Sequence, residues 1–152
     1  MERFSVLKML LINTQNFFIA LCFTIFSVMV TTEKSENKEF LEKSIHHLEA
    51  TGFEEIKADI DGYATPKSYV RKGTDFKITP DIVALKNGRK YYFEISLKSS
   101  KPRLLKTKWL FLDTLSRMNS NRFRIITTKG HYKFTDNMLE DINLTNKEPI
   151  RI

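Results

Sequence analysis

Apolar and polar positions change period several times along the chain, and each change predicts an element. From Ser35 to about Ala50, Phe40, Leu41, Ile45 and Leu48 recur at helical spacing, predicting a first helix with Ser35 as N-cap and Gly52 as stop. Lys38 stands three residues after Ser35 where a full capping box would have an acid. Phe53, Ile56, Ala58 and Ile60 then approach strict alternation, a first strand ending at Asp61-Gly62. The polar, irregular stretch from Tyr63 to Gly73 reads as a loop or a poorly formed strand. Two β-rich runs follow, Ile78 to Leu85 and Lys90 to Leu97, around Lys86-Asn87-Gly88-Arg89, and Asn-Gly between such runs is the strongest short-range hairpin signal. Leu105, Trp109, Leu112 and Leu115 predict an amphipathic helix to about Met118, and Phe123 to Thr128 a fourth strand. Tyr132 to Phe134 adds a short fifth strand, and Met138 to Leu144 a short closing helix. The order α-β-β-β-α-β predicts an α/β (α+β) domain without internal repeats or Gly/Ser-rich linkers.

The N-terminus breaks this pattern. Between Lys8 and Glu33 lie 24 residues without a charge, and Phe17 to Val30 is almost continuously apolar. Residues 1–32 are therefore set apart from a domain spanning 33–152. Three readings fit the segment: a membrane span, a signal sequence with Arg3 and Lys8 as its basic end, or an extension produced by the choice of start codon. Asn13, Gln15 and Asn16 interrupt its first half, and no small-x-small cleavage site follows it. A chain starting at Met29 instead of Met1 runs straight into the first helix. That last reading places the domain in the cytoplasm, whereas a span anchors it to a membrane through residues 9–32. In either case the chemistry is expected within 33–152.

Composition narrows the chemistry. With 41% hydrophobic and 28% charged residues, 5 Gly and 4 Pro, the chain is neither low-complexity nor disordered in type. The single Cys22 excludes an internal disulfide and a cysteine-rich zinc site, and three histidines do not replace one. A bound metal is thus expected to be a hard ion held by carboxylates. The net charge of +7 favours an anionic partner, nucleic acid or an acidic membrane surface.

The charge is also uneven. Residues 33–61 hold nine acidic and four basic side chains, whereas in 98–133 ten basic residues stand against Asp113 alone. Arg103, Lys106 and Arg117 fall near one helical stripe with Asp113 between them, opposite Leu105, Trp109 and Leu112. Such a surface suits a phosphate backbone, so Lys101, Arg103, Lys106, Lys108, Arg117, Arg122 and Arg124 are the candidate nucleic-acid-binding residues. Trp109 and the phenylalanines read as core, and His131 as a turn residue.

A two-residue turn at Asn87-Gly88 pairs Lys86 with Arg89 and places Asp81 directly opposite Glu94. Ser96 then faces Thr79 and Lys98 faces Lys77. Ile82, Ala84, Tyr91, Phe93, Ile95 and Leu97 fall on the other, core-facing side. Directly opposed residues have Cβ atoms about 4.5–5.5 Å apart, where two like charges repel unless a divalent cation or a lysine lies between them. The plain alternative is a solvated charge cluster with Lys77 and Lys98.

Pro80-Asp81, then a hairpin turn, then Glu94-Ile95-Ser96-Leu97-Lys98 and a basic helix resemble the core of the PD-(D/E)xK nuclease superfamily over about residues 45–140. The resemblance implies a restriction-endonuclease-like fold, close to that of junction resolvases, with a central mixed sheet and flanking helices. It implies a metal-dependent DNA endonuclease, with Mg²⁺ or Mn²⁺ held by Asp81, Glu94 and the Ile95 carbonyl, and Lys98 assisting the attacking water. The sequence departs from the pattern in having Ser96 at the usual lysine position, one strand step before Lys98. Glu39 or Glu42 of the first helix is a further candidate acid. A domain this small fits structure-selective DNA processing, of the junction-resolvase or phage type, by a homodimer. The alternatives are an inactive nucleic-acid-binding or assembly module on the same fold, and a membrane-anchored basic domain meeting anionic lipid.

Overall fold

The computed structural model describes residues 37–70, 77–99 and 101–152. The hydrophobic N-terminal segment and Ser35 lie outside the described residues, as do Arg71 to Gly73 of the loop before the hairpin. Among the described residues no helix is long and apolar enough to cross a membrane.

Helix α1, described over 37–50, ends where the sequence predicts. Gly52 takes a left-handed φ of 81°, and the Gly52 and Phe53 N–H groups turn back to the Glu49 and Leu48 carbonyls at 3.0 Å each. This is a Schellman stop, which uses glycine because a Cβ disfavours that conformation. Strand β1 (Glu54–Ala58) follows, with a bulge between Glu54 and Lys57 where Glu55 has a φ of 48°. The irregular stretch then contributes β2 (Tyr69–Val70), paired with β3 (Lys77–Ile78) in a separate two-stranded ribbon.

The hairpin is β4 (Ile82–Lys86) and β5 (Arg89–Ser96), paired from Lys86↔Arg89 to Ile82↔Phe93 in the expected register. Asn87 and Gly88 both have positive φ, 52° and 72°, as a type I′ turn requires. Helix α2 (Pro102–Met118) carries the chain across to β6 (Arg122–Thr127), parallel to β5. Proline stands in the first turn of α2, where its missing N–H has no intrahelical partner to lose.

Helix α3 (Tyr132–Asp141) and strand β7 (Ile150–Arg151) close the fold. Two expectations are corrected here. Tyr132 to Phe134 form the first turn of α3 instead of a strand, since Thr135, Met138 and Leu139 bury one face at helical spacing. The edge strand β7 was not foreseen, because two residues carry no readable period.

The main sheet has the order β1-β4-β5-β6-β7, antiparallel as far as β5 and parallel beyond it. It is a five-stranded mixed sheet with three helices, an α+β architecture. Both of its faces are buried. Ile45 and Leu48 of α1 pack with Ala58, Ile82, Ala84, Phe93 and Ile126 on one side. Trp109 and Leu112 of α2, with Met138 and Leu139 of α3, pack with Val83, Tyr92, Phe123 and Ile125 on the other. The side of the hairpin opposite the expected core face is therefore core as well, and Glu94 lies on that, the α2, side.

Candidate active site

The site begins where the β4–β5 ladder ends. Pro80 has no N–H to give, so regular pairing stops at Ile82↔Phe93 and two side chains complete the ladder. The Asp81 N–H donates to Glu94 Oε1 at 3.1 Å, and the Ile95 N–H donates to Asp81 Oδ2 at 2.8 Å. Each acid thus caps the other's strand, in the register that the Asn-Gly turn dictates.

The remaining oxygens converge on one cation. Lys108 Nζ lies 2.9 Å from Asp81 Oδ1 and 2.8 Å from Glu94 Oε2. Glu94 is fully buried, whereas the Lys108 and Asp81 side chains are 24% and 32% exposed, so the site opens on the Asp81 side. Burial pushes the Glu94 carboxyl well above its ordinary value; the negative Asp81 adds to this and Lys108 opposes it. Burial disfavours the Lys108 ammonium too, but the two carboxylates outweigh it and hold its pKa above the ordinary value.

Lys108 was expected on the DNA-binding surface and not between the acids. It stands three residues after Leu105 and four before Leu112, inside the stripe that α2 turns to the sheet. A lone lysine within an apolar stripe is the signal that could have placed it.

The other expected site residues are dispersed. Lys98 is exposed, and its backbone N–H donates to His131 Nδ1 at 2.9 Å; the ammonium between the acids belongs to Lys108. Ser96 does not face Thr79 across a ladder. It is fully buried, with its Oγ 2.8 Å from Thr135 Oγ1, while Thr79 bonds Ser68 at 2.7 Å. Glu39 and Glu42 are exposed on α1, which packs on the sheet face opposite Glu94.

The basic stripe is equally divided. Asp113 is not on it but buried beside Trp109 and Leu112, where it pairs with Arg117 and, at 2.8 Å, with Lys147. Lys106 pairs with Asp141 of α3 at 2.7 Å. Lys101 and Arg103 are exposed at the start of α2, and Arg122 and Arg124 belong to β6.

Among the described residues no three histidine, cysteine, aspartate or glutamate side chains come together as a metal site. The pair itself nonetheless has the donor chemistry of a hard-cation site. Two carboxylates aim at one point, and the buried Glu94 Oε2 has the Lys108 ammonium, at 2.8 Å, as its partner. The Ile95 N–H points to the Asp81 edge, and the pleat turns its carbonyl to the same edge. A divalent ion would compete with Lys108 for the same oxygens. No family model matches the chain, nor does any curated protein or solved structure.

Proposed function

We propose that this chain is a metal-dependent DNA endonuclease of the PD-(D/E)xK type on a restriction-endonuclease-like fold, with Lys108 rather than Lys98 as the lysine of the motif. The observation that carries the reading is the convergence of Asp81, Glu94 and Lys108 at the end of the β4–β5 hairpin. Asp81 and Glu94, with the Ile95 carbonyl, would hold Mg²⁺ or Mn²⁺. When bound, such an ion polarises a phosphodiester oxygen and makes a coordinated water more acidic.

The chain's own residues supply the rest. Lys108, released from Glu94, is a compact cation on a flexible stem, suited to a phosphoryl oxygen on which negative charge develops. Asp81, on the open side, faces the substrate, and buried Glu94 anchors the site from within. Lys101 and Arg103, exposed at the start of the helix that carries Lys108, would contact the DNA backbone. The small domain fits structure-selective cleavage by a homodimer.

A second reading is favoured by the ammonium already seated between the acids: a nucleic-acid-binding module in which the triad is a fixed ion cluster. The test is cleavage of supercoiled and branched DNA by the full chain in Mg²⁺ or Mn²⁺, beside EDTA and the variants Asp81→Asn and Lys108→Met. Metal-dependent cutting lost in both variants supports the nuclease. Salt-sensitive DNA binding that survives EDTA, without cutting under either metal, replaces it with the binding module.

A further inference from the structure

Among the described residues, three arginines gather where no carboxylate pairs with them. An open cleft of about 510 Å³ is lined by Arg89, Tyr91, Arg122, Arg124, Lys147 and Glu148, among others. Arg89 opens β5 and Arg122 opens β6. In the parallel register Tyr91 adjoins Arg122 and Phe93 adjoins Arg124, so Arg122 and Arg124 share the sheet face opposite Glu94. Among the described residues none of the three arginines has a side-chain hydrogen bond or an ion pair, and Arg124 Nε is buried without a partner. Lys147 is already committed to Asp113.

Guanidinium groups collected in one concave site repel one another, and a buried N–H without an acceptor is costly. Elsewhere in the molecule the exposed Arg151 pairs with Asp136, and Arg117 with Asp113. The cleft's own acid, Glu148, pairs with none of the three. Tetrahedral oxyanions satisfy such forks with several charge-assisted hydrogen bonds at once.

We propose that this cleft is an anion site that takes a phosphate group, held by Arg89, Arg122 and Arg124 and separate from the Asp81–Glu94 pair. Tyr91, at its wall, offers an aromatic edge to whatever the phosphate carries. The assignment does not depend on the nuclease reading. The phosphate belongs to a free nucleotide or to a nucleic-acid backbone, and the experiment distinguishes the two.

Binding of adenosine 5′-monophosphate, adenosine, inorganic pyrophosphate and a 20-nucleotide single-stranded DNA to the full chain is measured by calorimetry in EDTA. The nucleotide and pyrophosphate are expected to bind about tenfold or more tightly than adenosine. Arg122→Gln and Arg124→Gln each weaken that binding about tenfold, Glu148→Gln tightens it, and Asp81→Asn leaves it unchanged. Parallel weakening of DNA binding in the arginine variants identifies a backbone phosphate, and unchanged DNA binding identifies a free nucleotide. Exposed Arg122 keeps the test intact if Arg124→Gln fails to fold. Equal affinity for nucleotide and adenosine, or arginine variants that bind as the parent does, overturns the proposal.

Discussion

Asp81 and Glu94 are joined twice: the Asp81 N–H donates to Glu94 Oε1 at 3.1 Å, and Lys108 Nζ bridges the Asp81 Oδ1 and Glu94 Oε2 oxygens. One oxygen of each acid serves the backbone, Glu94 Oε1 for Asp81 and Asp81 Oδ2 for Ile95, and the other serves the cation. Truncation to alanine therefore loosens the end of the hairpin as well as removing charge. Asn and Gln keep an oxygen for the backbone bond, so they are the variants that report on charge.

Lys108→Met leaves two carboxylates facing each other, one fully buried, and is expected to destabilise the fold by about 3–5 kcal/mol. Thermal melting in EDTA measures that loss. If the pair takes a divalent ion, millimolar Mg²⁺ raises the melting temperature of the variant more than that of the parent, because the metal replaces the missing cation. A variant indifferent to Mg²⁺ and Mn²⁺ shows that the pair holds no metal.

The raised pKa of Glu94 makes stability pH-dependent with a definite sign. Above the ordinary value of 4.5 the folded chain binds more protons at Glu94 than the unfolded chain. Its contribution is fully present below that value and is lost as pH rises through the folded pKa. Lys108, raised above its ordinary 10.5, stays charged throughout that range. Denaturant titrations in EDTA at pH 5 and pH 8 are expected to show a larger stability loss on going to pH 8 in the parent than in Glu94→Gln. An equal or larger loss in the variant removes Glu94 as the source.

Ser96 is not a vacant lysine position. Its hydroxyl is enclosed with Thr127 and Thr135, whose Oγ1 atoms lie 2.9 Å apart. Ser96→Lys forces a cation among these buried hydroxyls and is expected to abolish cooperative unfolding or lower the melting temperature steeply; Ser96→Ala costs only about 1–3 kcal/mol. Lys98→Ala keeps the backbone bond to His131 and is expected to change stability by less than about 0.5 kcal/mol. Under the nuclease proposal it also leaves cleavage intact where Lys108→Met loses it. Cleavage lost in Lys98→Ala with stability unchanged returns the motif lysine to position 98.

Asp113 ties α2 to the segment before β7 through Lys147 while holding Arg117 four residues along its own helix. Asp113→Asn leaves both cations without their buried counter-charge and is expected to cost about 3 kcal/mol. Hydrogen exchange locates the effect: residues 145–151 lose protection ahead of the β4–β5 hairpin. Uniform loss across the sheet refutes this local tie.

What was legible in the chain is what depends on neighbours in sequence. The Asn87-Gly88 turn sets the β4–β5 register, and with a side-chain period of two that register alone puts Asp81 opposite Glu94. Gly52 ends α1, and the stripe of Leu105, Trp109 and Leu112 marks the buried face of α2, for the same local reasons. The sequence also raised a cation between the acids, a divalent ion or a lysine, against the alternative of a solvated charge cluster.

Which cation it is, only the tertiary structure decided. Lys98 is near Glu94 along the strand, but beyond the ladder it is exposed. Lys108 is fourteen residues away, yet the α2 crossover between parallel β5 and β6 brings its ammonium onto the acids. The same packing divided the basic stripe, because Lys106 and Arg117 found acids on α3 and within α2, and it left Arg122 and Arg124 in a cleft on the other face. Charge along a chain reports composition. Whether a charged group is neutralised, buried or free to bind depends on which distant elements pack against it.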